Sequence, residues 1–135
     1  MPVIKMEIPI KTVSEANSSE HWTRKAIRHR RQQFFTRAAY NRSVKHLQLP
    51  CIVKLTRLSP RKLDDDNLRG AMKYIRDEVS ECIIPEKAGT YVTKKGSVRS
   101  IKGRADSDPR ITWIYEQEKA PRQGVRIEID DGRKD

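Results

Sequence analysis

The stretch from Ile52 to Cys82 constrains the fold more than any other part of the chain. Apolar residues interleaved with charged ones predict a β-strand from Ile52 to Leu58, and Pro60 ends it. Three consecutive aspartates, Asp64–Asp66, follow within a few residues. Apolar residues then recur at intervals of three and four, which predicts a helix from about Leu68 to Cys82. A strand that leads through an acidic turn into a helix indicates an α/β fold.

Hydrophobic patterning predicts further elements on both sides of this unit. The order strand, helix, strand, helix, strand, strand indicates an α/β fold: a small mixed sheet of about four strands with two main helices on one face. We expect one domain over residues 1–135. The expected elements are a strand over Val3–Ile10, a helix over His21–Leu47, and an antiparallel strand pair, Arg110–Glu116 and Gly124–Ile129. Thr90–Thr93 and Ser97–Ile101 are expected to form either a basic hairpin or a segment that is disordered in isolation.

The long first helix has two unlike halves. Its second half carries Phe34, Phe35 and Tyr40, which we expect to form its buried apolar face. Its first half is strongly basic and contains few apolar residues. Ser18 or Ser19 is the expected N-cap.

The charge of the chain is strongly basic and unevenly spread. Lys and Arg number 29 against 18 Asp and Glu, which gives a formal net charge of +11. The 43 residues between Glu20 and Asp64 hold twelve Lys or Arg and no acid. Such a balance favours polyanionic partners. No apolar run approaches the roughly 18 residues of a spanning helix, and the first residues lack the pattern of a signal peptide. We therefore expect a cytoplasmic nucleic-acid-binding protein without a membrane partner.

The aspartate triplet has two interpretations. Acidic residues before a helix commonly cap it and complement its dipole, with Asp66 or Asn67 as the expected N-cap. Alternatively, Asp64 and Asp66 point the same way in an extended approach to the helix and supply oxygen ligands for a hard cation such as magnesium. A third carboxylate must then come from elsewhere. Asp106 and Asp108 precede the next strand, and we expect a mixed sheet to bring them beside the helix mouth.

The same segment resembles a known family. The RusA family of Holliday-junction resolvases has a strand, a proline and basic residues, then Asp-x-Asp-Asn-Leu opening a helix. Residues 49–68 resemble that pattern, and Asp64 to Leu68 match its motif. The likeness extends to Asp108 before the next strand, to a closing strand pair and to Asn17 in a polar segment followed by basic residues. It thus covers most of the chain.

The resemblance implies a homodimeric, magnesium-dependent endonuclease that cuts paired strands at four-way DNA junctions in recombination and repair. Mn²⁺ is expected to substitute for Mg²⁺, and no small-molecule cofactor is expected. By position, Asp64 and Asp66 match the first two catalytic, metal-holding carboxylates of the family. Asp108 matches the third, with Asp106 as an alternative. A bacterial or phage (prophage) setting is what the resemblance suggests.

Two features depart from the family pattern. The position of the family's catalytic lysine falls on Gly70, so we predict that Lys73, one turn further along the helix, supplies the cation, with Arg69 as a weaker candidate. Residues from about 85 to 104 form a basic insertion relative to the compact family pattern. Asp77 is interpreted as a surface partner of Lys73 rather than a ligand.

DNA backbone contacts are expected from basic residues outside the carboxylate site. Two alternatives to the resolvase remain. One is a non-catalytic nucleic-acid-binding protein on the same scaffold, and the other is a nuclease that acts on flap DNA or RNA. The predicted DNA-binding residues are Arg24, Lys25, Arg28, Arg30, Arg31, Lys94, Lys95 and Arg99.

Overall fold

The computed structural model describes residues 4–14, 20–85, 90–100 and 105–133. It confirms the predicted α/β class, with a mixed sheet of four strands and three helices in place of two. The elements in chain order are β1 (Ile4–Ile8), α1 (Trp22–Ser43), β2 (Cys51–Ser59), α2 (Asp65–Ala71), α3 (Lys73–Ile83), β3 (Thr90–Val92), β4 (Val98–Ser100), a 3-10 turn (Ala105–Ser107), β5 (Ile111–Lys119) and β6 (Gly124–Asp130).

The main sheet has the strand order β1-β6-β2-β5. Strand β6 runs antiparallel to both β1 and β2, and β5 runs parallel to β2, with Cys51 opposite Ile111. The predicted direct pairing of β5 with β6 is therefore wrong. Strand β2 lies between them because it is buried along almost its whole length, as central strands are. The short link from β5 to β6 passes the end of β2, where the amide of Ala120 donates to the carbonyl of Ser59.

The core lies between the sheet and the helices on one of its faces, as predicted. Val53 and Leu55 of β2 and Ile127 of β6 are fully buried, as are Met72 and Ile75 from the helical side. The other face of the sheet is a ladder of charges that includes the ion pairs Lys54–Glu116, Lys54–Glu128 and Arg126–Glu118.

Helix α1 buries part of the expected apolar face, since Tyr40 is buried and Ala39 packs against the core, but its two phenylalanines are exposed. Phe34 is 70% exposed and Phe35 is 41% exposed, whereas Gln32, Thr36 and Tyr40 are buried. The buried stripe has the four-residue spacing of one helix face, and it packs towards β1 and α3. The Thr36 hydroxyl donates to the Gln32 carbonyl at 2.6 Å, so this buried hydroxyl is hydrogen-bonded.

The ends of α1 also differ from those predicted. Its N-cap is His21, whose Nδ1 accepts a hydrogen bond from the amide of Thr23 at 3.3 Å, and the helix ends at Ser43. The expected caps, Ser18 and Ser19, lie outside the described residues, as does Asn17.

The helix predicted over Leu68–Cys82 begins earlier and is interrupted. Asp64 is its N-cap, and the chain leaves regular α-helix at Met72, whose amide contacts the carbonyls of both Leu68 and Arg69 at 3.2 Å. Gly70 lies two residues before the interruption and costs about 1 kcal/mol relative to alanine in a helix interior. Two consecutive helices, α2 and α3, result.

The predicted basic hairpin is confirmed. Strands β3 and β4 pair antiparallel, with Val92 opposite Val98. Gly96 has φ +83°, a conformation that glycine adopts readily at such a turn. Within the ranges given above, no helix is long and apolar enough to cross a membrane.

Candidate carboxylate cluster and nucleic-acid interface

The aspartate triplet opens α2 just beyond the end of β2. Asp64 Oδ1 accepts a hydrogen bond from the amide of Asn67 at 2.9 Å, so Asp64, rather than Asp66 or Asn67, is the cap. The Asn67 side chain in turn accepts a hydrogen bond from the hydroxyl of Ser14 at 2.6 Å. The capping interpretation of the triplet is thus correct for Asp64, and the polar segment after β1 is anchored to the mouth of the helix.

The carboxylates of Asp65 and Asp66 are exposed and make no hydrogen bond or ion pair with any residue in the described part of the chain. Asp64 is also exposed, and among the described residues its carboxylate bonds only the amide that it caps. Most other acids in the described part of the chain are paired with cations. The paired acids are Glu20, Glu78, Asp106, Asp108, Glu116, Glu118, Glu128 and Asp131. The triplet therefore stands out as free negative charge.

The expected parallel orientation of Asp64 and Asp66 rested on an extended chain. That premise does not hold, because the helix already includes Asp65 and Asp66. Asp65 lines a small cleft of about 200 Å³ against β5, together with Leu68, Arg69, Trp113 and Tyr115.

Asp108 does not lie beside the mouth of α2. Leu63, next to Asp64, exchanges hydrogen bonds with the side chain of Gln117 at 2.7 and 2.5 Å. Asp108 precedes Ile111, the first residue of β5, which lies six residues before Gln117. At ~3.3 Å per residue the two regions are about 20 Å apart. The sheet is mixed as expected, but β2 and β5 run parallel, so the start of β5 adjoins the start of β2, whereas α2 follows the end of β2.

The carboxylate of Asp108 is engaged locally. Its two oxygens accept hydrogen bonds from the Arg110 guanidinium at 3.0 and 3.1 Å, and its side chain is 5% exposed. Asp106 pairs with Arg76 at 3.4 Å. Across the described segments, no group of three His, Cys, Asp or Glu side chains is arranged to hold a metal ion. The metal-holding roles predicted for Asp64, Asp66 and Asp108 stay predictions, and the structure brings no three of these acids together.

Asp77 and Asp106 are a second pair of neighbouring acids, near the start of β5. Burial raises the pKa of Asp77 to about 6, and the nearby Asp106 carboxylate adds to the increase. Lys73 and Arg76 oppose it. Asp77 was predicted to be a surface partner of Lys73. The charge of Lys73 does lower the pKa of Asp77, but burial and the Asp106 carboxylate raise it by more.

The two candidate catalytic cations lie at different distances along the helix from the triplet. Arg69 follows Asp65 by four residues, within one turn, and its guanidinium lies 5.8 Å from the centre of the Tyr115 ring. Lys73 begins α3, two turns beyond Asp66, and its ammonium lies 5.6 Å from the Tyr74 ring. Arg69 is therefore better placed towards the triplet than Lys73.

The basic half of α1 lines the largest cleft described. This cleft, of about 420 Å³, lies between α1 and the residues after β1, and Arg24, Arg28 and Arg31 face it. These positions recur at four and three, on one helix face. Lys25 and Arg30, also predicted to bind DNA, are absent from its lining. Arg28 is paired there with Glu20 at 2.7 Å.

Gln32 adds an acceptor to this cleft. It is 1% exposed, and its amide nitrogen donates to the carbonyl of Lys11 at 2.9 Å, while its Oε1 has no hydrogen-bond partner among the residues that the structure describes. A buried acceptor left in this way suits a ligand donor or an ordered water.

A second cleft, of about 380 Å³, continues from the first, because Lys11 lines both. Its lining includes Ser14, Arg61 and Leu63, so it ends beside the mouth of α2. Its lining includes Arg57, which is 7% exposed and which is not among the predicted site residues. Strand alternation carried the signal: Arg57 shares a face with the buried Leu55.

The hairpin residues lie apart from these clefts in the chain. Lys94 and Lys95 are exposed at the turn between β3 and β4, which suits their predicted contact with DNA backbone. The side chain of Arg99 lies outside what the structure describes.

Comparison with known proteins yields no relative. No family model matches the chain, and neither a curated protein nor a solved structure matches it significantly. The RusA resemblance therefore stays a prediction that rests on the motif residues.

Proposed function

We propose that this protein is a magnesium-dependent, structure-selective endodeoxyribonuclease that resolves four-way DNA junctions in recombination and repair. The observation that carries the proposal is the placement of Asp64–Asp66, which have no cationic partner in the described part of the chain, directly after Leu63 at the end of two adjoining basic clefts. Negative charge at one point within a positive surface is what a nuclease requires, because its carboxylates hold a cation while its basic residues hold phosphates.

The described donor set fits magnesium in part. Magnesium is commonly held by one or two carboxylates with substrate phosphates and water completing its shell. Asp64 keeps one oxygen that its cap bond does not use, and Asp66 keeps both. When bound, the ion would polarise the phosphodiester and lower the pKa of an attacking water. Asp108 enters the proposal through the resemblance alone, since in this conformation it is distant from Asp64.

Substrate binding falls to the basic clefts. Arg24, Arg28 and Arg31 line one cleft together with Lys11, and none of these side chains needs to read a base to bind the backbone. Arg69, one turn from Asp65, supplies a cation near the reacting phosphate, where a fixed charge stabilises the transition state. Junction selection then depends on the shape of the DNA and on the arrangement of two active sites.

A homodimer is part of this proposal. A four-way junction has two-fold symmetry, and two symmetric cuts require two active sites related by a matching axis. The exposed aromatic side chains Phe34 and Phe35 of α1, which lie outside the lining of the basic cleft, are candidates for the interface.

A second candidate function is non-catalytic binding of branched nucleic acid on the same scaffold. Two observations favour it. Asp64 serves as a helix cap, and Asp108 is paired with Arg110 at a distance from the triplet. The basic clefts would then bind DNA, and Asp64–Asp66 would serve only the start of α2.

Incubation of the protein with end-labelled four-way junction, linear duplex, flap DNA and RNA, with and without Mg²⁺ or Mn²⁺, separates these functions. Paired cuts in the junction that require a divalent ion are expected. Junction binding without cleavage in either ion would leave the binding function. Cleavage of the flap or RNA in preference to the junction would redirect the nuclease to that substrate.

A further inference from the structure

Arg57 is a buried cation without an acidic partner in the described part of the chain. It lies on the core-facing side of β2, and three of its hydrogen bonds go to neutral oxygens. Its Nε donates to the Thr12 hydroxyl at 2.9 Å, Nη1 to the carbonyl of Arg61 at 2.6 Å, and Nη2 to the carbonyl of Thr12 at 3.4 Å. Burial lowers the pKa of Arg57.

An unpaired buried charge is costly unless something compensates it. A guanidinium has five N–H donors, and the three bonds above leave one on each terminal nitrogen. Arg57 lines the cleft shared with Lys11 and Arg61, whose exposed side chains add positive charge with no ion pair described. The hydroxyl-bearing Ser59 lines the same cleft. These groups match the oxygens of a phosphate, which guanidinium binds at two points.

The cleft is also placed for such a ligand. Ser14 lines it and donates to Asn67 in the first turn of α2, and Leu63 lines it directly before Asp64. A phosphate bound at Arg57 would therefore lie close to the mouth of α2. On the other side, Lys11 connects this cleft to the one that the α1 arginines line.

We propose that the cleft around Arg57 is a phosphate-binding subsite that fixes one backbone phosphate of the bound strand beside the Asp64–Asp66 carboxylates. The identity of the strand rests on the proposed function, whereas the recognition of phosphate does not. The subsite would set the register of the strand, because Arg57 is the one described cation of this cleft that is both buried and held rigidly by neighbouring backbone.

A purely structural role for Arg57 makes a different prediction. The guanidinium ties residue 12 to residue 61, so a structural role predicts that its substitution lowers stability equally in every salt. A phosphate subsite predicts an effect that depends on the anion.

The test compares thermal unfolding in sodium phosphate with that in sodium chloride at equal ionic strength. Phosphate should raise the Tm of the wild-type protein and of Arg126→Gln, a control whose arginine pairs with Glu118 on the opposite face of the sheet. Arg57→Gln should lose this phosphate-specific rise, with phosphate affinity about tenfold weaker or more. An equal rise in Arg57→Gln and wild type, or no rise in wild type, would overturn the proposal.

Should Arg57→Gln fail to fold, Lys11→Ala carries the same test, because its side chain is exposed. Phosphate binding weakened several-fold supports the subsite, and unchanged binding overturns it. The phosphate measurement involves no cleavage and no DNA. Phosphate binding through Arg57 in a protein that cuts no substrate would support the subsite and contradict the nuclease function. Cleavage by a protein that does not bind phosphate at Arg57 would support the nuclease function and contradict the subsite.

Discussion

The acids at the mouth of α2 and those at the entrance of β5 have opposite surroundings. Asp65 and Asp66 are exposed and unpaired within the described chain, and Asp64 makes only a capping bond there. Asp108 is almost completely buried against Arg110, and Asp106 is paired with Arg76. The family resemblance therefore groups Asp108 with carboxylates from which the fold separates it by about 20 Å.

The difference separates two tasks of acidic residues in a basic protein. A carboxylate with a matched guanidinium has its charge compensated, and removing either partner leaves a buried charge unpaired. The exposed acids that open α2 gain only the modest stabilisation of the helix dipole from their charge, so a ligand is a further reason for three of them together. The acids at the start of β5 thus have the pairing expected of structural residues, and those at the mouth of α2 have the exposure expected of ligand-binding residues.

The largest expected effect is on cleavage. Asp64→Asn and Asp66→Asn should each abolish junction cleavage while junction binding survives or tightens, because the lost charge serves the metal and repels phosphate. Asparagine caps a helix as well as aspartate does, so Asp64→Asn separates chemistry from capping. Glu116→Gln, on the opposite face of the sheet, is the matched control. Full activity in either aspartate variant would leave the triplet as a cap.

Asp108→Asn sharpens the same comparison. The structure predicts lost stability of about 1–3 kcal/mol from the weakened bonds to Arg110, measured by urea unfolding. The resemblance predicts lost cleavage. Lost cleavage at unchanged stability would show that the two regions meet in the DNA complex, through a partner subunit or a change in conformation.

The next effect concerns the cation near the triplet. Arg69→Ala should lower turnover about a hundredfold with little change in junction affinity, a typical loss for one charge-stabilising donor. Lys73→Ala should lower it less, since Lys73 is two turns from Asp66. Gly70→Lys restores the family pattern and meets no atom within 4 Å of its Cβ, so it should recover part of the Arg69→Ala loss. A larger loss in Lys73→Ala would return the role to Lys73.

Binding should divide α1 by face. Alanine at Arg24, Arg28 and Arg31 together should flatten the dependence of junction affinity on salt, by about 0.9 in the log–log slope for each phosphate that the variant no longer neutralises. The control removes three charges from the same helix outside the cleft lining: Lys25, Arg30 and Arg42. Equal flattening in both triple variants would show that binding responds to net charge rather than to the cleft.

Sequence was sufficient for the features that depend on local pattern. The strand and helix order, the hairpin at Lys94–Gly96 and the basic first half of α1 follow from periodicity, turn residues and charge. In these elements the local preference of the sequence and the packing of the whole fold favour the same structure, so the periodicity predicts their positions. The element ends moved by a few residues, as at His21, because capping depends on side-chain geometry.

Features that depend on long-range packing were not predictable in this way. Periodicity favoured Phe34 and Phe35 as part of the buried face of α1, but Gln32 and Thr36 are buried instead. Hydrogen bonds hold the Gln32 amide nitrogen and the Thr36 hydroxyl there. The insertion of β2 between β5 and β6 likewise depends on the whole sheet. That one topological fact moved Asp108 away from the triplet, and the core position of Arg57 followed from the register of the same strand.

The smallest expected effect tests the acids near β5 by pH. Burial, with help from Asp106, raises the pKa of Asp77 from 3.8 to about 6, although Lys73 opposes this. Between those values the folded protein binds more protons at Asp77 than the unfolded chain does, so this residue lowers the free energy of unfolding as pH rises through the window.

Asp77→Asn should therefore stabilise the protein at neutral pH, by about 1 kcal/mol once solvent screening is allowed for, and by little at about pH 4. Urea unfolding of wild type and variant at both pH values measures the difference. Asp66→Asn is the control from the other region, because its exposed, unpaired carboxylate should give no such pH-dependent gain. A gain in Asp66→Asn as large as in Asp77→Asn would mean that general charge repulsion, rather than burial near Asp106, governs both acids, and the contrast between the two regions would fail.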